Sequence, residues 1–138
     1  MLQPEWLDAD TLVYVSDRTG WWNPYAQPAD AGPEAARALA GRAEEFAGPL
    51  WAIGTTWYAV LDGGRLLASH GTHGAALGIV DPAAGTLRDL DLPYTRAVPT
   101  DVDGDRALVL GTSPEDGEGL RLVDLSTGAT RTLRRAVP

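Results

Sequence analysis

Short apolar runs separated by turn residues fill the middle of the chain. Four such runs lie at 58–61, 66–68, 76–80 and 86–90. An Asp62-Gly63 pair follows the first run, and the sequence DPAAG follows the third. Asp-Gly and Asp-Pro-x-x-Gly favour hairpins, because glycine accepts a positive φ and aspartate hydrogen-bonds within its own turn. The pattern therefore predicts four short antiparallel strands in succession.

The same pattern recurs along the chain, as it does in repeat proteins. LGIVDPAAGTLRDL at 77–90 aligns with LRLVDLSTGATRTL 43 residues later, and DGGRLLA at 62–68 aligns with DGDRALV at 103–109. DADTLVYVS at 8–16 aligns more loosely with DGGRLLASH at 62–70. Four antiparallel strands in a unit of this length are typical of a β-propeller blade. We therefore predict an all-β partial propeller of about three four-stranded blades, approximately 1–48, 49–93 and 94–138.

The outer two units differ in how clearly they show the pattern. The third unit has its runs at 98–102, 107–110, 120–123 and 130–133. The first unit is longer, and its segment EAARALAGRAEEFA at 34–47 is rich in residues that helices accept. This segment predicts either a short helix or an outer strand followed by a loop.

Three blades leave the ring incomplete, because propellers typically close with 4–8 blades around a channel. We therefore expect the chain to be part of a longer propeller, with the remaining blades as its partners. The faces that this incomplete ring leaves uncovered at its two ends should be apolar, since they lack a neighbouring blade to pack against. Self-association through these exposed end blades is expected on the same ground.

Composition narrows the class of protein. The 138 residues carry 44% hydrophobic side chains, 16 glycines and 10 prolines, which fits one domain of short elements. The net charge of −8 argues against a nucleic-acid partner, and the absence of cysteine excludes disulfides and thiolate chemistry. The N-terminus has neither a basic nor an apolar signal region, and no run is long enough to span a bilayer. A cytoplasmic protein is therefore expected.

A family resemblance rests on two stretches of the sequence. EWLDADTLVYVSDRTGWWNPY resembles the Asp-containing propeller repeat of the TolB-like type, which is related to WD40-like repeats. The tandem of SDRTGWWN with EFAGPLW is similar to the N-terminal propeller of bacterial prolyl oligopeptidase-family (S9) serine peptidases, of the dipeptidyl-aminopeptidase and acylaminoacyl-peptidase type. The resemblance covers roughly residues 4–135. It departs from the family at Asp8-Ala9-Asp10, where Asp-Gly is usual, and at Pro24, where Leu or Ile is usual.

The resemblance implies that the chain is not itself the catalyst. In that family a C-terminal α/β-hydrolase domain carries the Ser-Asp-His triad, and the propeller covers its mouth and limits substrate size. A serine nucleophile of this kind needs a G-x-S-x-G elbow, and none of the four serines lies in one. We therefore expect no catalytic residue in this chain, whose role would be to gate access and to position short peptides for a hydrolase domain.

Four residues are candidates for contact with a peptide. Glu44 and Glu45 form an acidic pair, and aminopeptidases of the resembled family hold the substrate's amino group with propeller carboxylates. Arg18 lies in the turn before the tryptophan pair, where pairing with Asp17 or another acid competes with substrate binding. Trp22 belongs to an aromatic cluster that serves either as a stacking platform or as packing between blades.

No metal or other cofactor is expected. His70 and His73 have an H-x-x-H spacing, but zinc needs further ligands, and the repeat places both at a turn between strands. We interpret that segment as a solvated turn. A propeller lactonase with a central calcium would need several inward Asn and acidic ligands, whereas the chain has a single asparagine, Asn23. A free-standing TolB-like module for protein–protein interaction remains the main alternative to the peptidase segment.

Overall fold

The computed structural model describes residues 1–49, 51 and 53–136. The regular structure of these residues consists of strands and short 3-10 turns, and it includes no α-helix. The strands form three sheets, each with four antiparallel strands that are neighbours in sequence order. The predicted all-β class and the predicted four-stranded blades are confirmed.

The first sheet contains β1 (Leu2–Trp6), β2 (Thr11–Ser16), β3 (Asn23–Pro28) and β4 (Arg37–Ala38). The second contains β5 (Tyr58–Val60), β6 (Leu66–His70), β7 (Ala76–Asp81) and β8 (Thr86–Asp89). The third contains β9 (Arg96–Asp103), β10 (Arg106–Ser113), β11 (Gly117–Asp124) and β12 (Thr130–Arg135). The 3-10 turns are Pro33–Ala35, Asp62–Gly64 and Thr72–Gly74.

The core lies between the sheets, and strand alternation explains how the second sheet serves both of its neighbours. Successive side chains of a strand point to opposite faces. Leu66 and Ala68 of β6 pack towards Val13 and Val15 of the first sheet. Leu67, between them, packs with the residues of the third sheet. The three sheets therefore stack face against face, and each interface buries a separate apolar cluster.

Segment 34–47 resolves the alternative that the sequence left open. It contains the end of a 3-10 turn and the two-residue strand β4, followed by an irregular connection to β5. Of the two predictions, the outer strand followed by a loop is therefore confirmed. Phe46 of this connection is 2% exposed within the core of the first two sheets. Burial of Phe46 thus ties an irregular segment to the blades.

Antiparallel order places particular connections at the same edge of the stack. In a four-stranded meander, the turn between the second and third strands and the exit from the fourth strand lie at one edge. The β2–β3 turn, the β4–β5 connection, the β6–β7 turn and the start of β9 therefore meet there. We call this edge the upper edge. Among the described residues, no helix is long and apolar enough to cross a membrane.

Candidate ligand-binding site

The acidic segment at the upper edge is fixed by a buried amide. Asn23, at the start of β3, is 2% exposed. Its side-chain amide donates to the carbonyl oxygens of Arg42 at 2.8 Å and Glu44 at 3.3 Å, and its oxygen accepts from the Arg42 N–H at 3.0 Å. A buried side chain that makes three such bonds holds a loop almost as a neighbouring strand would. The backbone leading to Glu45 is therefore held in place.

Glu45 bridges the first and second sheets. Its carboxylate oxygen Oε2 accepts from the backbone N–H of Trp22 at 2.9 Å. Its carbonyl accepts from the N–H of Gly71 at 2.9 Å, and the next residue, Phe46, donates to the carbonyl of Trp22 at 2.7 Å. The Glu45 carboxylate is thus oriented by the backbone rather than by a basic side chain, which leaves its negative charge without an opposite charge in these contacts.

Glu44 has a different environment. Its Oε1 lies 3.1 Å from Nδ1 of His70 and 3.9 Å from a guanidinium nitrogen of Arg42. The other ring nitrogen of His70, Nε2, lies 2.6 Å from the Asp89 carboxylate. The two adjacent glutamates therefore have separate partners, and Glu44 is turned towards His70.

The interpretation of His70 as part of a solvated turn is wrong. His70 is the last residue of β6, and it is 6% exposed. Its ring stacks on Phe46, with centroids 5.3 Å apart. A ring that faces a carboxylate at each nitrogen can donate to both only when both nitrogens carry a proton. His73 does lie in the 3-10 turn, where it is exposed and has a φ of 56°.

A cleft of about 980 Å³ opens beside Glu45 at the upper edge. Its wall is mainly apolar and aromatic, and it also includes Glu45, His73 and Arg96. The aromatic and apolar lining includes Trp22, Ala47, Pro49, Trp51 and Trp57. The cleft therefore combines one backbone-anchored carboxylate with several aromatic surfaces, an arrangement suited to a cation with an apolar body.

The tryptophan pair divides between this wall and solvent. Trp22 is half-buried and packs against the core of the first two sheets, whereas Trp21 is 42% exposed. Trp22 contributes both its side chain to the cleft and its backbone N–H to Glu45.

Arg18 lies away from the cleft, on the opposite face of the first sheet. Its guanidinium stacks 4.3 Å above the ring of Tyr25 and donates to the hydroxyl of Tyr14 at 2.9 Å. It forms no salt bridge among the described residues, so the expected pairing with Asp17 is wrong. Stacking on a flat aromatic surface satisfies the delocalised guanidinium without an acid.

Four residues that help to build the site were not predicted to belong to it, namely Asn23, His70, Asp89 and Arg96. The single asparagine next to the tryptophan pair was a usable signal, because a lone amide inside an apolar strand must find partners. Asp89 and Arg96 carried no such signal. Within the described residues, no three or more His, Asp or Glu side chains form a group that could hold a metal ion.

Comparison with known proteins places this geometry in a family. No family model matches the chain, and no curated protein matches it. Among solved structures, a puromycin-hydrolysing peptidase of Mycobacterium tuberculosis is 39% identical over 97% of this chain, with a TM-score of 0.86. A puromycin hydrolase is 40% identical over 99% of the chain, with a TM-score of 0.82. Its serine-to-alanine mutant complexed with PGG is 38% identical over 99%, also with a TM-score of 0.82.

The match covers nearly all of this chain but little of those proteins. The chain spans 20% of the first structure and 21% of each of the other two. At this identity and structural similarity, three stacked antiparallel sheets correspond to part of one domain of those peptidases. The chain is therefore a partial N-terminal β-propeller of the prolyl oligopeptidase (S9) peptidase family.

Proposed function

We propose that this chain is a non-catalytic propeller segment that binds the ammonium end of a short peptide or aminoacyl compound at Glu45. It would position that compound for, and limit access to, the hydrolase domain of a serine peptidase. The observation that carries the proposal is the Glu45 carboxylate, which is oriented by the Trp22 N–H at 2.9 Å on the wall of an aromatic cleft. Relationship to S9 peptidases supports the coarser statement, that the segment belongs to such an enzyme.

The physical case for an ammonium ligand rests on charge and preorganisation. A cation that leaves water for an apolar cleft needs a fixed opposite charge, and a carboxylate already oriented by the backbone loses little freedom on binding. Aromatic surfaces such as Trp22 and Trp57 attract the same cation through their ring faces. Glu44 has His70 and Arg42 as partners, so we assign it the supporting role and Glu45 the binding role.

Phenylalanine amide and N-acetylphenylalanine amide make a matched pair of probes, because they differ in whether the amino group carries a charge. We expect the chain to bind phenylalanine amide and to discriminate against the acetylated form in isothermal titration calorimetry. Glu45→Gln should weaken binding of the charged probe about tenfold or more, since a charge-assisted hydrogen bond contributes about 1.5–3 kcal/mol. Arg18→Gln, on the opposite face of the sheet, serves as the control and should leave binding unchanged.

Two outcomes would contradict the proposal. Equal binding of the two probes would show that the ammonium group is not recognised. An affinity for phenylalanine amide that Glu45→Gln leaves unchanged would assign recognition to other residues of the chain.

A further inference from the structure

The cleft beside Glu45 carries a basic side chain as well as the carboxylate. Arg96, the first residue of β9, lines the same cleft. Its acidic contact is Glu118, whose carboxylate is 52% exposed and lies 3.9 Å from the guanidinium, close to the limit for a salt bridge. The Arg96 guanidinium makes no hydrogen bond to the residues that the structure describes. Its N–H donors therefore remain available to an anion in the cleft.

One tight turn, Thr72–Gly74, sets the distance between the two charges. On one side of it, the N–H of Gly71 donates to the Glu45 carbonyl at 2.9 Å. On the other side, a Cβ on Gly74 would lie 3.8 Å from Cγ of Arg96, so the Arg96 stem packs directly on the turn. The Gly74 N–H closes the turn by donating to the Gly71 carbonyl at 3.4 Å. Residues joined in this way have Cα atoms less than about 7 Å apart, so Glu45 and Arg96 flank the turn at short range.

The conformation of this turn is narrowly defined. Gly74 has a φ of 73°, and a Cβ there would lie 2.6 Å from the hydroxyl oxygen of Ser69. His73 has a φ of 56°, which residues other than glycine seldom adopt. Its side chain is exposed and lines the cleft. Backbone strain of this kind is concentrated at ligand sites, so the turn has the character of part of a binding site.

The cleft lies where the three sheets meet, at the starts of their first strands. Leu2 begins β1, Trp57 directly precedes β5 and Arg96 begins β9, and all three line the cleft. Glu45 and Arg96 are joined through the turn of the second sheet, which has a neighbouring sheet on each side within this chain. The two charges therefore belong to the interior contacts of the stack.

We propose that Arg96 binds the free carboxylate of a short peptide whose ammonium group is bound by Glu45, so that the cleft selects zwitterionic dipeptides and tripeptides. This inference rests on the proposed function of Glu45 and adds the class of substrate. A guanidinium can pair with a carboxylate through two parallel hydrogen bonds, which makes arginine a suitable partner for a peptide C-terminus.

The length of the ligand follows from the turn. An extended chain spans about 3.3–3.6 Å per residue, so two or three residues reach about 7–11 Å. That length suits two charges on either side of one tight turn, whereas the two charged groups of a single amino acid are attached to the same carbon. The aromatic wall between the charges accommodates an apolar side chain of the peptide.

Phenylalanylglycine and phenylalanylglycinamide test the inference, because only the first has a C-terminal carboxylate, and both amino groups are largely charged at pH 7. In isothermal titration calorimetry, the free acid should bind at least about tenfold more tightly, as expected for charge-assisted hydrogen bonds. The net charge of −8 favours the amide, which is a cation, so it cannot produce this preference.

Arg96→Gln removes the charge but keeps the part of the stem that packs on Gly74. This variant should lose the preference for the free acid and bind phenylalanylglycinamide with unchanged affinity, which also shows that it is folded. Arg106→Gln is the matched control, since Arg106 is exposed at the β9–β10 turn, on the opposite edge of the same sheet. It should keep the preference in full.

Three results would overturn the inference. Equal affinity for the two dipeptides, or tighter binding of the amide, would exclude a carboxylate site, and the proposed function would stand if Glu45→Gln still weakened binding of phenylalanylglycinamide. A preference for the free acid that Arg96→Gln leaves unchanged would assign the carboxylate to another residue. Absence of binding for both dipeptides would overturn this inference and the ammonium site together.

Discussion

The side-chain amide of Gln3 binds the backbone on both sides of the peptide bond between Trp57 and Tyr58. It donates to the carbonyl of Tyr58 at 2.7 Å and accepts from the N–H of Trp57 at 2.7 Å. The Tyr58 hydroxyl donates in return to the carbonyl of Gln3, and it also lies 3.1 Å from the carbonyl of Val13. Residues about 55 positions apart in the chain thereby join the first strands of two sheets.

Removing the Gln3 amide should weaken the contact between these two sheets and destabilise the fold. Gln3→Ala leaves the Trp57 N–H and the Tyr58 carbonyl without their partner, and an unsatisfied buried group costs about 1–3 kcal/mol. We expect the free energy of unfolding, measured in urea, to fall by about that amount. Gln3 has a φ of 47°, so Gln3→Gly separates the lost bonds from backbone strain. A glycine variant more stable than the original chain would show that strain, and not the amide, dominates.

Ionisation of the Tyr58 hydroxyl should lower the free energy of unfolding in alkaline solution. Burial, and to a smaller extent the charge of Glu5, raises the pKa of its hydroxyl above the ordinary value of 10.0. The folded chain therefore keeps this proton more tightly than the unfolded chain. The stabilisation is complete below about pH 10 and is lost as the pH rises through the ordinary pKa towards the raised one.

Tyr58→Phe tests this pH dependence. Urea titrations between about pH 8 and pH 11 should show a shallower loss of stability for the variant than for the original chain. Its stability at neutral pH should be lower, because the bonds to Gln3 and Val13 are lost. Parallel curves for the two proteins would mean that Tyr58 does not cause the alkaline decline.

His70 and His73 offer a matched comparison. His70→Phe keeps an aromatic ring against Phe46 but removes both carboxylate contacts, so we expect a loss of about 1–3 kcal/mol in the free energy of unfolding. His73→Asn should change stability by less than about 0.5 kcal/mol, because His73 is exposed and asparagine accepts its positive φ. Thermal or urea unfolding of both variants measures the difference. Equal losses would show that the contacts of His70 do not stabilise the fold.

The pKa of the Asp124 carboxyl group should depend mainly on a single serine, Ser126. The Ser126 hydroxyl, 2.6 Å from the carboxylate, is the main cause that lowers the pKa of Asp124 below 3.8, followed by the N–H groups of Thr127 and Ser126. A lowered pKa means that the carboxylate stabilises the fold above its ordinary pKa, and that this contribution is lost as the pH falls through the lowered value.

An NMR titration of the Asp124 carboxyl carbon measures this effect. Ser126→Ala should raise the pKa of Asp124 towards its ordinary value, because the largest favourable interaction of the ionised form is removed. Ser113→Ala, which alters a different turn, is the control and should leave the titration unchanged. An unchanged midpoint in Ser126→Ala would assign the low pKa to the backbone alone.

The blades were predictable because their signals are local. Predicted runs at 66–68 and 76–80 lie within β6 and β7, and those of the third unit lie within strands that extend a few residues further. Gly85 and Gly128 occupy the same position of the repeat, and both have a positive φ that a hairpin turn requires. Alternation of apolar residues and turn chemistry act over a few positions, so the sequence alone was enough for them.

The candidate site was only partly predictable. The sequence singled out Glu45 and Trp22, but it gave no reason to distinguish Glu45 from Glu44. Only the packing of β6 against the β4–β5 connection brings His70, which also contacts Asp89 of β8, to Glu44 and leaves Glu45 at the cleft. The sequence-based prediction also named the wrong partner for Arg18. The guanidinium stacks on Tyr14 and Tyr25, which become neighbours only when β2 pairs with β3.

The sequence by itself therefore determined the class, the repeat, the turns and the family resemblance of this protein, since each depends on residues close together in the chain. Tertiary structure decided which carboxylate faces the cleft and which histidine is buried. These outcomes depend on contacts between residues from different strands and sheets, whose geometry is set only when the sheets stack.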